Sequence, residues 1–170
     1  MPNTKNIKLI TEECKKQGLS KYQAAYVLAT VQHETNNTFE PVEEGYYLKN
    51  PLAFQKTLRY YPYFGRGYVQ LTWKDNYEKF NVILGVKGTG NDLVKYPNVV
   101  MREPVSRFIL VYGMRTGTFT GKRLSNFITD AKQDYKGARQ IINGRDKDTL
   151  IAGYALLWLK SKEIREVYHG

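Results

Sequence analysis

The segment from Lys21 to Glu34, KYQAAYVLATVQHE, constrains the fold more than any other stretch of the chain. Ser20 stands before it as an N-cap residue, which fixes where a helix starts. Ala24, Val27, Leu28 and Val31 recur on one face at helical spacing, while Tyr22, Ala25, Tyr26 and Ala29 cover much of the other side. A helix apolar nearly all round is a buried helix. Residues 5–17 read as a shorter helix before it, closed by Gly18.

Beyond Thr35 the helical period disappears. Asn36, Asn37, Pro41, Gly45, Pro51, Pro62 and Gly65 punctuate a tyrosine-rich segment that is expected to be irregular as far as Gly67. Long irregular segments inside compact domains tend to carry function. Regular structure is expected again over 70–84, a break in GVKGTGND at 85–92, and helices near 103–114, 122–130, 134–142 and 147–167. The chain contains no internal repeat and no low-complexity linker, so residues 1–170 are expected to form a single, mainly α domain.

A chain of 170 residues buries enough apolar surface to fold without disulfides or a structural metal. Cys14 is the only cysteine, which excludes a disulfide-stapled scaffold and a cysteine zinc site, and fits synthesis in a reducing cytoplasm. The N-terminus lacks the apolar run of a signal peptide, and the apolar stretch at 151–159, IAGYALLWL, is too short to span a bilayer. The net charge of +10 draws such a protein toward polyanions: nucleic acid, anionic membranes or bacterial envelope polymers. Its Lys and Arg residues are scattered from Lys5 to Arg165, which argues against a dedicated basic arm.

Glu34 is the residue that chemistry singles out. It falls on the same helical face as Ala24, Val27 and Val31, yet stands at the mouth of the irregular segment. A carboxyl group half withdrawn from water suits proton donation near neutral pH, because desolvation disfavours its charged form. Taken alone, a Glu at a helix end is more often a solvated surface group.

Three strings occur in order: His33-Glu34-Thr35, then Pro41-Val42-Glu43-Glu44, then YFGRGYVQLTWKDNY at 63–77. Together they resemble glycoside hydrolase family 19 in its phage-endolysin branch. The similarity continues through DLVKYP at 92–97, GMRTGTFTGKRL at 113–124 and ARQIING at 138–144, covering nearly the whole chain. The resemblance implies a lysozyme-like, family 19 chitinase-like domain with a long irregular or small β segment at its cleft. It also implies that Glu34 is the general acid and that a second carboxylate activates water. Glu44 matches that second position, and Glu43 matches under a one-residue shift of register. Inversion at the anomeric carbon would place the two carboxyl groups about 6.5–9.5 Å apart with a water between them.

By the same resemblance Gln70, Thr72, Asn76 and Asn143 line the sugar cleft or hold the water, since amide and hydroxyl groups both donate and accept hydrogen bonds. Without it, the first three read as caps or turn contacts and Asn143-Gly144 as a turn. Tyr63 and Tyr68, flanking the glycines, are the tyrosines expected to pack on sugar rings, with several of their aromatic neighbours in the core. Gly65 and Gly67 are expected at tight turns, and Arg66 doubles as an ion-pair candidate.

One cysteine in place of several sets this chain apart from plant-type chitinases, so bacterial peptidoglycan is the expected substrate. No separate wall-binding domain is evident. The resemblance implies a monomer that accumulates in the host cytoplasm, reaches periplasmic peptidoglycan after a holin-like partner opens the inner membrane, and engages the anionic envelope but no nucleic acid. His33 and His169 are too few for a metal centre and no cofactor motif occurs, so neither metal nor cofactor is expected. Competing readings are a chitinase on the same fold, a non-catalytic basic module, and membrane attack through the face of Ile151, Tyr154, Leu157 and Trp158.

Overall fold

Asn3 and Ser20 open the first two helices through their side chains. The Asn3 carboxamide oxygen accepts the Asn6 N–H at 3.0 Å, starting α1 (Thr4–Lys16). Ser20 and Gln23 satisfy each other's backbone N–H groups in a capping box that starts α2 (Lys21–Glu34). Between the helices Gly18 takes φ +83°, the left-handed geometry that ends α1. The computed structural model describes residues 1–169 and is mainly helical, with one two-stranded antiparallel sheet. It divides into two compact units.

The first unit comprises Met1–Phe39 and the chain from Arg107 onward. Residues 24–31 of α2 are all buried, as expected of a helix apolar on every side. The helix packs chiefly on α6 (Asp148–Leu159), and α1 packs on α7 (Lys162–Tyr168). Ile151 and Ala155 of α6 are fully buried. Trp158 donates its indole N–H to Gln32 at 2.8 Å and meets the Phe39 ring edge-on at 5.5 Å. Tyr135 stacks on Tyr26 at 5.9 Å and donates to the Tyr22 carbonyl. Much of the apolar face proposed for membrane attack is therefore docked inside the unit, while Leu157 stays 72% exposed.

Three expectations in this unit are corrected. The helix expected over 147–167 is broken after Leu159, because the Ser161 hydroxyl accepts the Ile164 N–H and caps a new helix. The helices expected over 122–130 and 134–142 are only short 3-10 turns, Leu124–Asn126 and Gly137–Ile141. There Asn126 accepts the Arg123 N–H and Asp134 accepts the Gly137 N–H, so side chains take backbone donors and favour turns.

The second unit is Glu40–Ser106. Its sheet pairs β1 (Val42–Glu43) with β2 (Arg66–Gly67), Val42 opposite Gly67 and Glu43 opposite Arg66. The segment expected to be irregular contains, besides these strands, the helix α3 (Pro51–Lys56), with Asn50 as its cap and Pro51 at its first position. Helix α4 (Lys74–Leu84) starts later than expected because Gln70 (φ +59°) and Trp73 (φ +76°) hold left-handed backbone that no helix can include. A 3-10 turn (Pro97–Met101) precedes α5 (Glu103–Thr116), whose residues from Arg107 on belong to the first unit. The Gly-rich loop after α4 is pinned by buried Asp92. Its carboxylate accepts the backbone N–H groups of Gly88, Val94 and Lys95 and the Asn81 amide. Those bonds, with Gly88 foremost, hold the Asp92 carboxyl well below the usual carboxylate range.

Candidate functional site

Glu34 is the last residue of α2, and its side chain is 18% exposed. The chain turns immediately after it because the buried Thr35 hydroxyl donates to the Val31 carbonyl at 2.7 Å and accepts the Phe39 N–H at 3.0 Å. This explains the threonine of the His-Glu-Thr string as a device that ends the helix and leaves the carboxyl at its tip. Arg139, in the 3-10 turn Gly137–Ile141, donates to Glu34 Oε1 at 3.0 Å, and its Nε donates to the Asp146 carbonyl at 2.8 Å. Its side chain is 3% exposed, so the guanidinium is fixed on both sides and fixes the carboxylate in turn.

Arg139 was not singled out from the sequence. A signal existed, because an arginine among Ala138, Ile141 and Ile142 is a charge in an apolar run, and a buried charge needs a partner. The partner's identity is not local: Glu34 lies in another part of the chain. Asn143 follows the same turn, exposed, with its carboxamide oxygen accepting the Gly144 N–H at 2.9 Å. That is the turn contact.

Glu44 belongs to the second unit and is bound into it from both ends. Its backbone N–H donates to the Gly65 carbonyl at 2.7 Å, and its carbonyl accepts the Gln55 amide at 3.0 Å. One carboxylate oxygen accepts the Gly65 N–H at 2.9 Å and the other accepts the Tyr60 hydroxyl at 2.7 Å. Tyr60 in turn lies 4.8 Å from the Trp73 ring, over which the Arg59 guanidinium sits at 5.2 Å. Burial, then the hydrogen bond to Glu44, pushes the Tyr60 phenol up to about 12, so it remains a donor throughout the neutral range.

Glu43 has a different neighbour. Its carboxylate lies 3.6 Å from Arg66 Nε, and its side chain is 40% exposed. Arg66 is an interior cation: its guanidinium sits 3.7 Å over the Phe64 ring and donates to the Pro62 carbonyl and to the Tyr77 hydroxyl. Tyr77 passes the chain on to the Phe64 carbonyl at 2.6 Å, and burial pushes its phenol up to about 12. The two adjacent glutamates are thus distinguished by their partners, a cation for Glu43 and neutral donors for Glu44.

The polar residues of the 63–77 string hold one another. Gln70 donates to the Val42 carbonyl at 2.8 Å, Thr72 to the Gln70 carbonyl at 2.8 Å, and Asn76 to the Thr72 carbonyl at 2.7 Å. A side chain on Gly65 would come within 2.8 Å of Gln70 Oε1, and one on Gly67 within 2.6 Å of the Ser106 hydroxyl; Gly67 also needs φ +90°. Gln70, Thr72 and Asn76 therefore build the turn that carries Gly65 to Glu44.

The two tyrosines differ. Tyr63 is half-buried, donates to the Val94 carbonyl at 2.9 Å and meets Tyr77 edge-on at 5.2 Å. Tyr68 is corrected: its ring is 0% exposed, its N–H donates to buried Ser106 and its hydroxyl to Glu103, so it offers no face to a sugar. The most open aromatic surfaces of this unit are instead Tyr47 (76% exposed), one of the tyrosines the sequence places around the cleft, and Trp73 (44% exposed), which was not picked out from the sequence.

Among the described residues no three His, Cys, Asp or Glu side chains converge as a metal site would require, and no helix is long and apolar enough to cross a membrane. No family model, curated protein or solved structure matches the chain.

Proposed function

We propose that this chain is a lysozyme-like glycoside hydrolase that cleaves β-1,4 bonds of bacterial peptidoglycan with inversion, Glu34 protonating the leaving oxygen and Glu44 activating water. The observation that carries the reading is the setting of Glu44. Gly65 N–H and the Tyr60 hydroxyl each hold one oxygen of its carboxylate, and no cation pairs with it among the described residues. A general base needs that combination: a fixed orientation, and lone pairs not committed to a salt bridge. Glu43, drawn to Arg66, is the poorer base.

Support for Glu34 as the acid is its placement at a helix tip, partly withdrawn from water; the ion pair with Arg139 supports its orientation alone and not proton donation. The order and content of the three strings that resemble family 19 endolysins supply the substrate class. In this reading the protein waits in the infected cytoplasm and reaches the periplasm once a holin-like protein opens the inner membrane. The net charge of +10 then favours the anionic envelope.

The test is mass spectrometry of fragments released from purified peptidoglycan and, in parallel, from chitin oligomers. Wild-type protein is expected to release disaccharide-repeat fragments from peptidoglycan. Glu34→Gln, which keeps size and shape but removes the proton, is expected to lose at least about 10²-fold in turnover while its thermal melt stays close to wild type. Release from chitin alone transfers the activity to a chitinase, and release from neither polymer leaves a basic binding module.

A further inference from the structure

Next to Glu44 the second unit opens into a groove of about 500 Å³ that the acid–base chemistry does not use. Glu43, Arg66, Lys49 and Tyr61 line it, together with Leu52 and Gln55 of α3. The groove joins Glu44 through Gln55, whose amide donates to the Glu44 carbonyl. It combines a carboxylate that is 40% exposed, an exposed ammonium with no ion-pair partner among the described residues, and two apolar surfaces, Leu52 (54% exposed) and Tyr61 (41% exposed).

A neutral N-acetylated glycan can meet those charges with hydroxyls and acetamides but brings no counter-charge to either. The peptide side of peptidoglycan does, because each stem presents free carboxylates, an ammonium on its diamino residue and small alanyl side chains. The Glu43–Arg66 pair is close to neutral as a unit, so Lys49 leaves the groove weakly positive, which suits a ligand richer in carboxylates than in amines. Arg66 cannot reach out to serve that role, since its side chain is 7% exposed and bonded inward to Pro62 and Tyr77.

We infer that this groove receives the stem peptide of peptidoglycan, Lys49 meeting a peptide carboxylate, Glu43 the ammonium of the diamino residue, and Leu52 with Tyr61 the alanyl groups. The inference rests on the glycosidase reading above and adds the peptide to its substrate. It makes the chain selective for glycan strands that carry stems.

Two measurements test it. The first compares specificity constants on intact strands and on strands stripped of stems by an amidase, the lactyl carboxylates so freed being capped as methylamides to keep the stripped glycan neutral. Wild type is expected to prefer the intact strands by about fivefold, the scale of one ion pair at a rim, and Lys49→Glu is expected to bring that ratio to about one or below. The second titrates the whole protein with the free stem peptide L-Ala-γ-D-Glu-diaminopimelate, following backbone amide NMR shifts. Shifts confined to residues 43–66 are expected in wild type and should weaken in Lys49→Glu. Activity with a ratio of one in wild type overturns the groove assignment and leaves the glycosidase standing. No activity on either polymer overturns the glycosidase, and the titration then decides the groove alone: no shifts, or shifts elsewhere, refute it.

Discussion

Replacing Arg139 by Met removes the guanidinium that faces Glu34 and leaves a carboxylate, 18% exposed, with no counter-charge at 3.0 Å. Breaking a buried pair in this way costs about 3–5 kcal/mol. Glu34 keeps some contact with water, so its share falls to about 2 kcal/mol, and the lost bond from Arg139 to the Asp146 carbonyl adds about 1 kcal/mol. The single variant should therefore lose about 3 kcal/mol, or roughly 6–12 °C in melting temperature for a chain of this size. Glu34→Gln should cost less, because a neutral amide tolerates the site. In the double variant the isolated charge is gone, and the cycle should return a coupling of about 2 kcal/mol. The chain has two tryptophans, Trp158 in the first unit and Trp73 in the second, so a Trp73→Phe background makes fluorescence report on the unit that holds the pair. Urea melts of the four proteins complete the measurement. A coupling below about 0.5 kcal/mol would mean that the two residues act independently, and the ion pair would then be ornamental.

Two further outcomes follow from the site and its surroundings. Tyr60→Phe removes one of the two donors on Glu44 without changing the ring that lies beside Trp73, so on the proposed glycosidase reading kcat on peptidoglycan should fall about tenfold with KM nearly constant, the effect of one charge-assisted bond; unchanged kcat would detach Tyr60 from the chemistry. Asp92 is held below the usual carboxylate range, so its stabilising bonds act in full above about pH 4 and are lost as pH falls from there toward the folded value. Asp92→Asn should accordingly lower the melting temperature at pH 7 and much less at pH 2, and an equal difference at both would refute the assignment.

What could be read from the sequence was whatever is encoded locally. A capping residue followed by apolar side chains at every helical angle defines α2 within a few residues, and the same holds for Gly18 at the end of α1. Features set by distant partners left no such pattern. Arg139 and Glu34 meet only after the chain has folded, and Tyr60 reaches Glu44 across the whole of α3. Helix α3 itself was hidden because six residues are too few to show a period, although Asn50-Pro51 was a legible start signal. The break at Ser161 illustrates the opposite failure: the apolar pattern runs on, and a single hydroxyl diverts the backbone. Tyr68 failed as a sugar-binding candidate because position beside glycines says nothing about which way a ring points.

Cys14 lies on the inner side of α1, fully buried, and burial pushes its thiol far above the ordinary range. It is the only sulfhydryl in the chain, so it is both shielded from reagents and held in its unreactive protonated form. A disulfide reagent can modify the protein only during moments when α1 has come away from its neighbours. The pace of labelling therefore counts those departures, residue-specifically and with no engineered probe. When reclosing outruns the thiol reaction, that pace gives the free energy of opening; at high reagent it gives the opening rate itself. The molecule thus carries an internal timer for the loosening of its first unit, readable in the unmodified protein and in the presence of any polymer it is offered.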